Sequence, residues 1–274
     1  MLSAQRAVIL RPVLILLPPS ESKTEPHKGK KLSLTTLSAK SLNQDRGAVL
    51  DALVALCSGP TSKALTSLGL TNRQVHEVAR NAELKVSPTA DAIEIYTGVL
   101  YDALDVTTLS TKARTKLNAT VAIQSTLFGV VMADDAIPAY RLSADSKLPK
   151  LGVMGKWWRT RLDKAMRNLI SGSVVLDLRS GAYANMWTPT GDAAANTVVA
   201  KVLLENAEGV RKVVSHHNKA TKGRLVRALS MQPGMPTSPE SLAAACEKAG
   251  MHIELHKPKK SGVPWTADVV VREL

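Results

Sequence analysis

The chain has 274 residues, with 36 lysines and arginines against 23 acidic residues and a formal net charge of +13. Its 45% hydrophobic content is that of a foldable globular chain and excludes a disordered tail. Two cysteines, Cys57 and Cys246, cannot build a zinc site or a disulfide framework. Aromatic residues make up only 3%, so the core is expected to be Leu, Val, Ala and Ile. A strongly basic chain draws polyanions, of which nucleic acid is the commonest in a cytosol, although a merely basic soluble protein has the same charge.

Residues 7–17 have the outline of a short leader, but Arg11 and Pro12 interrupt the run and no small-residue cleavage site follows. Val13–Leu17 is read instead as a buried first strand. It enters Pro18-Pro19-Ser20-Glu21-Ser22-Lys23, which proline geometry keeps extended. Leu42, Val49, Leu50, Leu53 and Val54 are spaced for one helical face over 38–57, stopped by Gly59-Pro60. Short helices follow at 61–67 and 72–82, broken by Gly69 and with Thr71 placed to cap the second. Further helices are expected from Pro88 to Gly98 and over 110–117.

Strands are expected at 121–127 and 139–142, and Gly129–Ala133 turns toward a loop. A long helix is expected over 157–170, a buried strand at 174–178 and a shorter strand at 213–215. Helices are expected at 222–231 and 239–250, the latter with proline in its first turn and glycine at its stop. Segments 251–256 and 267–273 read as two closing strands joined as a hairpin. No run reaches the roughly 18 apolar residues of a membrane span, so no membrane partner is expected. The irregular alternation of strands and helices predicts an α+β fold. It has a mixed central sheet with surrounding helices, as a single domain over 1–274 with a helical insert at about 38–117.

Most familiar motifs are absent from the sequence. Gly152-Val153-Met154-Gly155-Lys156 lacks P-loop spacing, and there is no Gly-x-Gly-x-x-Gly or Gly-x-Ser-x-Gly. His76-Glu77 has no second histidine at the zinc-protease spacing. The adjacent His216 and His217 would point to opposite faces of a strand. No cofactor and no metal are therefore expected.

Two constellations remain. Ser20, Glu21, Asp177, Tyr183 and His216 follow strand ends, where sites gather. They could line one polar cleft of an enzyme, or simply cap loops and pair with each other. The second constellation is Leu65 to Arg80. Its helix, Leu68-Gly69-Leu70-Thr71 turn and second helix have the pattern of a helix-hairpin-helix. Glycine would let the backbone approach a phosphate, and the free N–H groups of the second helix would face it. Lys63 and Arg73 flank the turn. An ordinary helical corner with a glycine cap has the same outline.

Several segments taken in order resemble the YaaA family of peroxide stress proteins. They are Leu16–Lys23, Tyr96-Thr97-Gly98-Val99-Leu100-Tyr101, Leu127-Phe128-Gly129, Ile137–Leu142, Leu176–Tyr183 and Ser215–Gly223. The resemblance maps Lys23 onto the lysine of the family's first loop. That loop reads Ser-Pro-Ala-Lys in the family and Pro-Pro-Ser-Glu-Ser-Lys here. The resemblance implies a cytoplasmic bacterial protein that protects DNA and limits free iron under peroxide. It also implies a basic cleft and DNA binding without sequence preference. Lys23, Arg141, Arg179, Lys219 and Lys222 would line that cleft. The alternatives are an enzyme acting on a nucleotide or nucleic acid through the strand-end residues, and a direct iron-handling protein.

Overall fold

The computed structural model of the chain describes residues 11–213 and 215–272, with side chains from 218 onward in the helix that opens at Ser215. Strand β1 (Val13–Leu17) leads into a helical region: α1 (Asn43–Cys57), α2 (Thr61–Leu68), α3 (Val75–Ala82), β2 (Ala90–Asp91), α4 (Ala92–Ile95), α5 (Val99–Leu104) and α6 (Thr111–Thr120). Next come β3 (Val121–Ser125), β4 (Gly129–Met132), β5 (Ala136–Ile137), β6 (Lys147–Leu148), β7 (Gly152–Val153), α7 (Met154–Arg159), α8 (Asp163–Ile170) and β8 (Val174–Asp177). The last stretch holds α9 (Asp192–Ala195), β9 (Thr197–Glu205), β10 (Arg211–Lys212), α10 (Ser215–Met231), α11 (Pro239–Lys248), β11 (His252–His256) and β12 (Trp265–Arg272).

The main sheet runs β11-β12-β9-β8-β1-β3-β4, with β10 beside β9. Strands β3, β1, β8, β9 and β12 are mutually parallel. β4 and β11 are antiparallel to their neighbours. The fold is thus α+β with a mixed central sheet and surrounding helices, as the sequence predicts. Every residue of β1, β3 and β8 is buried. That is why they read as near-continuous apolar runs and not as an alternation: a parallel strand covered on both faces has no wet side.

The sheet also sets where a ligand can enter. From β1 the chain returns to the sheet at β3 on one side, and from β8 it returns at β9 on the other. Adjacent loops therefore depart in opposite directions at the carboxyl ends of β1 and β8, which opens a crevice between them.

Several expectations change. The nine-residue β9 falls where no element was expected, because exposed Lys201 interrupts its apolar run. The strand expected at 213–215 is not present in that form. Sheet pairing there is Arg211–Lys212 against β9, and helix α10 already starts at Ser215; Val214 lies outside the described residues. The helix over 157–170 is two, α7 and α8, broken where the Arg161 guanidinium stacks 3.4 Å from the Trp157 ring centre. Gly129–Met132 is a strand and not a loop.

Residues 139–142 form no strand. Buried Asn81 of α3 takes the place of a strand partner: its Nδ2 donates to the Arg141 carbonyl at 2.7 Å, and the Arg141 N–H donates to its Oδ1 at 2.9 Å. The final hairpin is present as β11 and β12.

Two contacts hold the helical region on the sheet. Arg46 of α1 is fully buried, and its guanidinium donates to the carbonyls of Phe128, Val130 and Ser38. At Gly223, α10 approaches α5 so closely that a Cβ would stand 2.0 Å from the Leu100 carbonyl oxygen. A Gly223→Ala variant is therefore expected to lose about 3 kcal/mol, at the upper end of overpacking costs because backbone cannot move aside. Urea denaturation checks this as a lower midpoint with unchanged slope. Arg46→Met, which strands the buried carbonyls of Phe128 and Val130 and the half-buried one of Ser38, should lose a similar amount.

Candidate functional site

The crevice predicted from the strand order is a cleft of about 620 Å³. The loop after β1 (Pro18 to Ser22) forms one wall and the loop after β8 (Ser180 to Tyr183) another. Thr97–Tyr101 and the first described turns of α10, with Asn218, Lys219 and Lys222, complete it. A volume of this size matches a small ligand or a single nucleotide.

Buried polar groups join the loop after β8 to the sheet. Arg179 makes a two-point ion pair with Asp177, at 3.0 Å to Oδ1 and 2.7 Å to Oδ2. It also donates to Gln124 Oε1 of β3 at 2.9 Å and to the Trp187 carbonyl at 2.9 Å. Arg179 is only 5% exposed, so it does not present a charge to the cleft as the sequence reading expected. Its charge is consumed in joining β8, β3 and the following loop, and Asp177 is consumed with it.

Glu21 straps the cleft rim. Arg141 Nη2 lies 2.9 Å from its Oε2, and the Tyr183 hydroxyl donates to its Oε1 at 3.1 Å. Burial, reinforced by the Glu21 carboxylate, pushes the Tyr183 phenol well above its ordinary range. Ser20 turns the loop by donating to the Ser22 carbonyl at 2.6 Å and accepting from the Thr97 N–H at 3.0 Å.

Lys23 clasps the same loop. Its Nζ donates to the Ser20 carbonyl at 2.8 Å and lies 4.2 Å from the Tyr140 ring centre. Tyr140 is fixed in turn by hydroxyl contacts to Tyr96 at 2.9 Å and Ser125 at 2.8 Å. Lys23 is half-buried, and loss of water around its ammonium outweighs the pull of Glu21 and lowers its pKa to about 7. Lys222 is 4% exposed and donates to the Leu178 carbonyl at 2.8 Å. Desolvation, partly offset by Asp177 and reinforced by the like charge of Lys219, brings its pKa to about 8. Lys219 itself is exposed.

The other sequence-predicted residues lie on the helical hairpin. Leu68 faces the core and Leu70 is half-buried, whereas Lys63, Gly69, Thr71 and Arg73 are exposed. Gly69 has φ +66°, and nothing stands within 4 Å of where its Cβ would be. Gln74 Oε1 accepts from both the N–H and the hydroxyl of Thr71, at 3.1 Å each. Arg80 of the hairpin pairs with Glu25 beyond the loop after β1, and Asn81 holds the backbone of Arg141, whose side chain pairs with Glu21 on the cleft rim. Asn81 and Gln124 were missed from sequence because an amide in an apolar stretch signals nothing until its partners are known. The side chain of His216 lies outside the described residues.

Among the described residues, one group has metal-ligand atoms within 4.8 Å of one another: Glu254, His256 and Asp268 on β11 and β12. Both Glu254 oxygens already accept from Arg211, and His256 Nε2 lies 3.1 Å from Asp268 Oδ2. These pairings account for the cluster without an ion. No helix among the described residues is long and apolar enough to cross a membrane.

The family model described as peroxide stress protein YaaA matches residues 13–253, which takes in every wall of the cleft. The chain belongs to the YaaA family of peroxide stress proteins. It is 44% identical to a UPF0246 protein of Streptomyces coelicolor over 96% of this chain and 100% of that protein. A UPF0246 protein of Corynebacterium glutamicum is 39% identical over 88% of this chain and 95% of its own length. An uncharacterized protein of Campylobacter jejuni is 29% identical over 84% and 89%. Membership supports a role in peroxide stress.

The cleft chemistry sets a pH expectation. Below about pH 7 Lys23 is charged in both folded and unfolded states, and its burial costs stability. Above that, the unfolded chain binds the extra proton, so stability rises with pH until the free side chain titrates near ~10.4. Comparing denaturation of the wild type with Lys23→Met across this window should show the rise flattened in the variant. Glu21→Gln removes the charge that favours the ammonium and should move the Lys23 titration below about 7, read by carbon NMR of the lysine side chains.

Proposed function

We propose that the protein binds DNA without sequence preference in the cytoplasm during peroxide stress, shielding it from damage and, with its family, limiting free iron. The observation that carries the DNA part is the hairpin tip. Gly69 holds a left-handed turn with open space in front of it, and the next helix begins just beyond it, where a Thr71–Gln74 capping box meets part of the N–H groups and Asn72 and Arg73 stay exposed. Lys63 and Arg73 beside it have no acidic partner among the described residues. A phosphate fits such a site by charge and by backbone hydrogen bonding, and contacts of this kind read no base sequence. The net charge of +13 supports the same partner over longer range.

A second reading, an enzyme acting on a nucleotide or nucleic acid, is favoured by the cleft. Two amines with lowered pKa values beside a pocket of small-ligand size are more than a purely electrostatic binder needs.

Fluorescence anisotropy with labelled duplex DNA across a salt series tests the first reading. Affinity should fall steeply with salt, with a log–log slope of about −0.9 for each phosphate contacted. Gly69→Asp should weaken binding at least about tenfold by placing a negative charge against a phosphate. Gly69→Asn, which tolerates the same left-handed turn without the charge, should bind nearly as the wild type does. Lys63→Gln should reduce the salt slope by about one. Salt-indifferent affinity, or equal binding by the aspartate variant, would overturn the reading.

A further inference from the structure

Lys222 is placed unlike a phosphate-gripping lysine. A phosphate contact in water calls for an exposed, mobile ammonium, as Lys219 provides one turn earlier on the same helix. Lys222 instead is buried in the cleft wall, and the Leu178 carbonyl is its one hydrogen-bond partner among the described residues. Asp177, the carboxylate nearest in sequence to that carbonyl, is already saturated by Arg179 at both oxygens. Apolar Pro18, Leu100, Tyr101 and Ala182 share the cleft with it, as do polar Ser20 and Glu21. An amine desolvated in this way and set beside a second cation is activated as a nucleophile. Lys23 differs, because carbonyls of the loop after β1 and the face of Tyr140 occupy its ammonium.

We propose that Lys222 forms an imine with the aldehyde of an open-chain phosphosugar held in the cleft, with Lys219 on its phosphate. The neutral Nζ adds its lone pair to the carbonyl carbon, and the carbonyl electron pair becomes a hydroxyl as one proton passes from nitrogen to oxygen. That hydroxyl leaves as water with a proton taken from solvent. The remaining nitrogen pair closes a protonated carbon–nitrogen double bond. Nothing is oxidised or reduced, and the Leu178 carbonyl holds the amine in place by accepting one N–H. The aldehyde has two sources of the same chemistry, a free pentose phosphate or an abasic residue in a DNA strand. Only the second source rests on the DNA-binding reading.

Trapping separates these cases. The full chain is incubated with cyanoborohydride and either 2-deoxyribose 5-phosphate or duplex DNA carrying one abasic residue, and intact mass and peptide mapping follow. DNA anisotropy is run in parallel on the same duplex. The expected result is a single reduced adduct on the peptide containing Lys222, lost in Lys222→Arg, which keeps the charge but cannot form the imine. Should that variant fail to fold, the map of the wild-type adduct decides alone. An adduct with the free sugar and none with DNA that binds assigns the small-molecule source. An adduct with the free sugar when the duplex does not bind supports Lys222 and removes the DNA reading. No adduct in either arm, or adducts spread over exposed lysines without preference for Lys222, would overturn the proposal.

Discussion

The buried pair of Arg179 and Asp177 is the constraint around which the cleft is organised. Two charges removed from water are costly unless every donor and acceptor is met. Here the guanidinium is met by both aspartate oxygens, by Gln124 and by the Trp187 carbonyl. Those partners belong to β8, β3 and the loop after β8, so satisfying one side chain fixes the relative position of three segments. β1 runs between β8 and β3, and its exit loop is thereby confined to the same rim. The groups that face the cleft, exposed Glu21 and Lys219 and half-buried Tyr183, stand on this framework.

The helical hairpin and the cleft are parts of one mechanical unit. Asn81 brackets the backbone of Arg141, and the Arg141 side chain reaches Glu21 on the cleft rim. A ligand contacting both would therefore meet a pre-arranged surface and would not have to order one part relative to the other, which lowers the entropic cost of binding.

Sequence was most informative where physics is local. The apolar run of β1, the proline-stiffened loop after it, the glycine turn between α2 and α3 and the closing hairpin are written in short stretches of residue type. The α+β class with a mixed sheet followed from them. What escaped depends on partners far along the chain. Nothing in Arg179 itself distinguishes a cleft cation from a buried tie, because the difference lies in Gln124 and Trp187. The break between α7 and α8 falls between Arg159 and Asp163, where the apolar spacing runs on without a proline or glycine to mark a stop. Strand β9 hid behind one outward lysine, and the role of Asn81 as a substitute strand partner has no sequence signature. The family resemblance supplied what patterning could not, because it rests on the order of the cleft loops.

The central place of β1 has a consequence in time. Its parallel partners, residues 121–125 and 174–177, are made more than a hundred residues after it. At a synthesis rate of 5–20 residues per second, the Val-Leu-Ile-Leu-Leu segment waits on the order of ten seconds before its first native neighbour emerges. During that interval an apolar strand with two open edges is exposed to other nascent chains. Pro12 before it and Pro18-Pro19 after it limit how far a foreign strand can pair along its flanks, so the residues that shape the cleft loop also bound the hazard of building the sheet around β1.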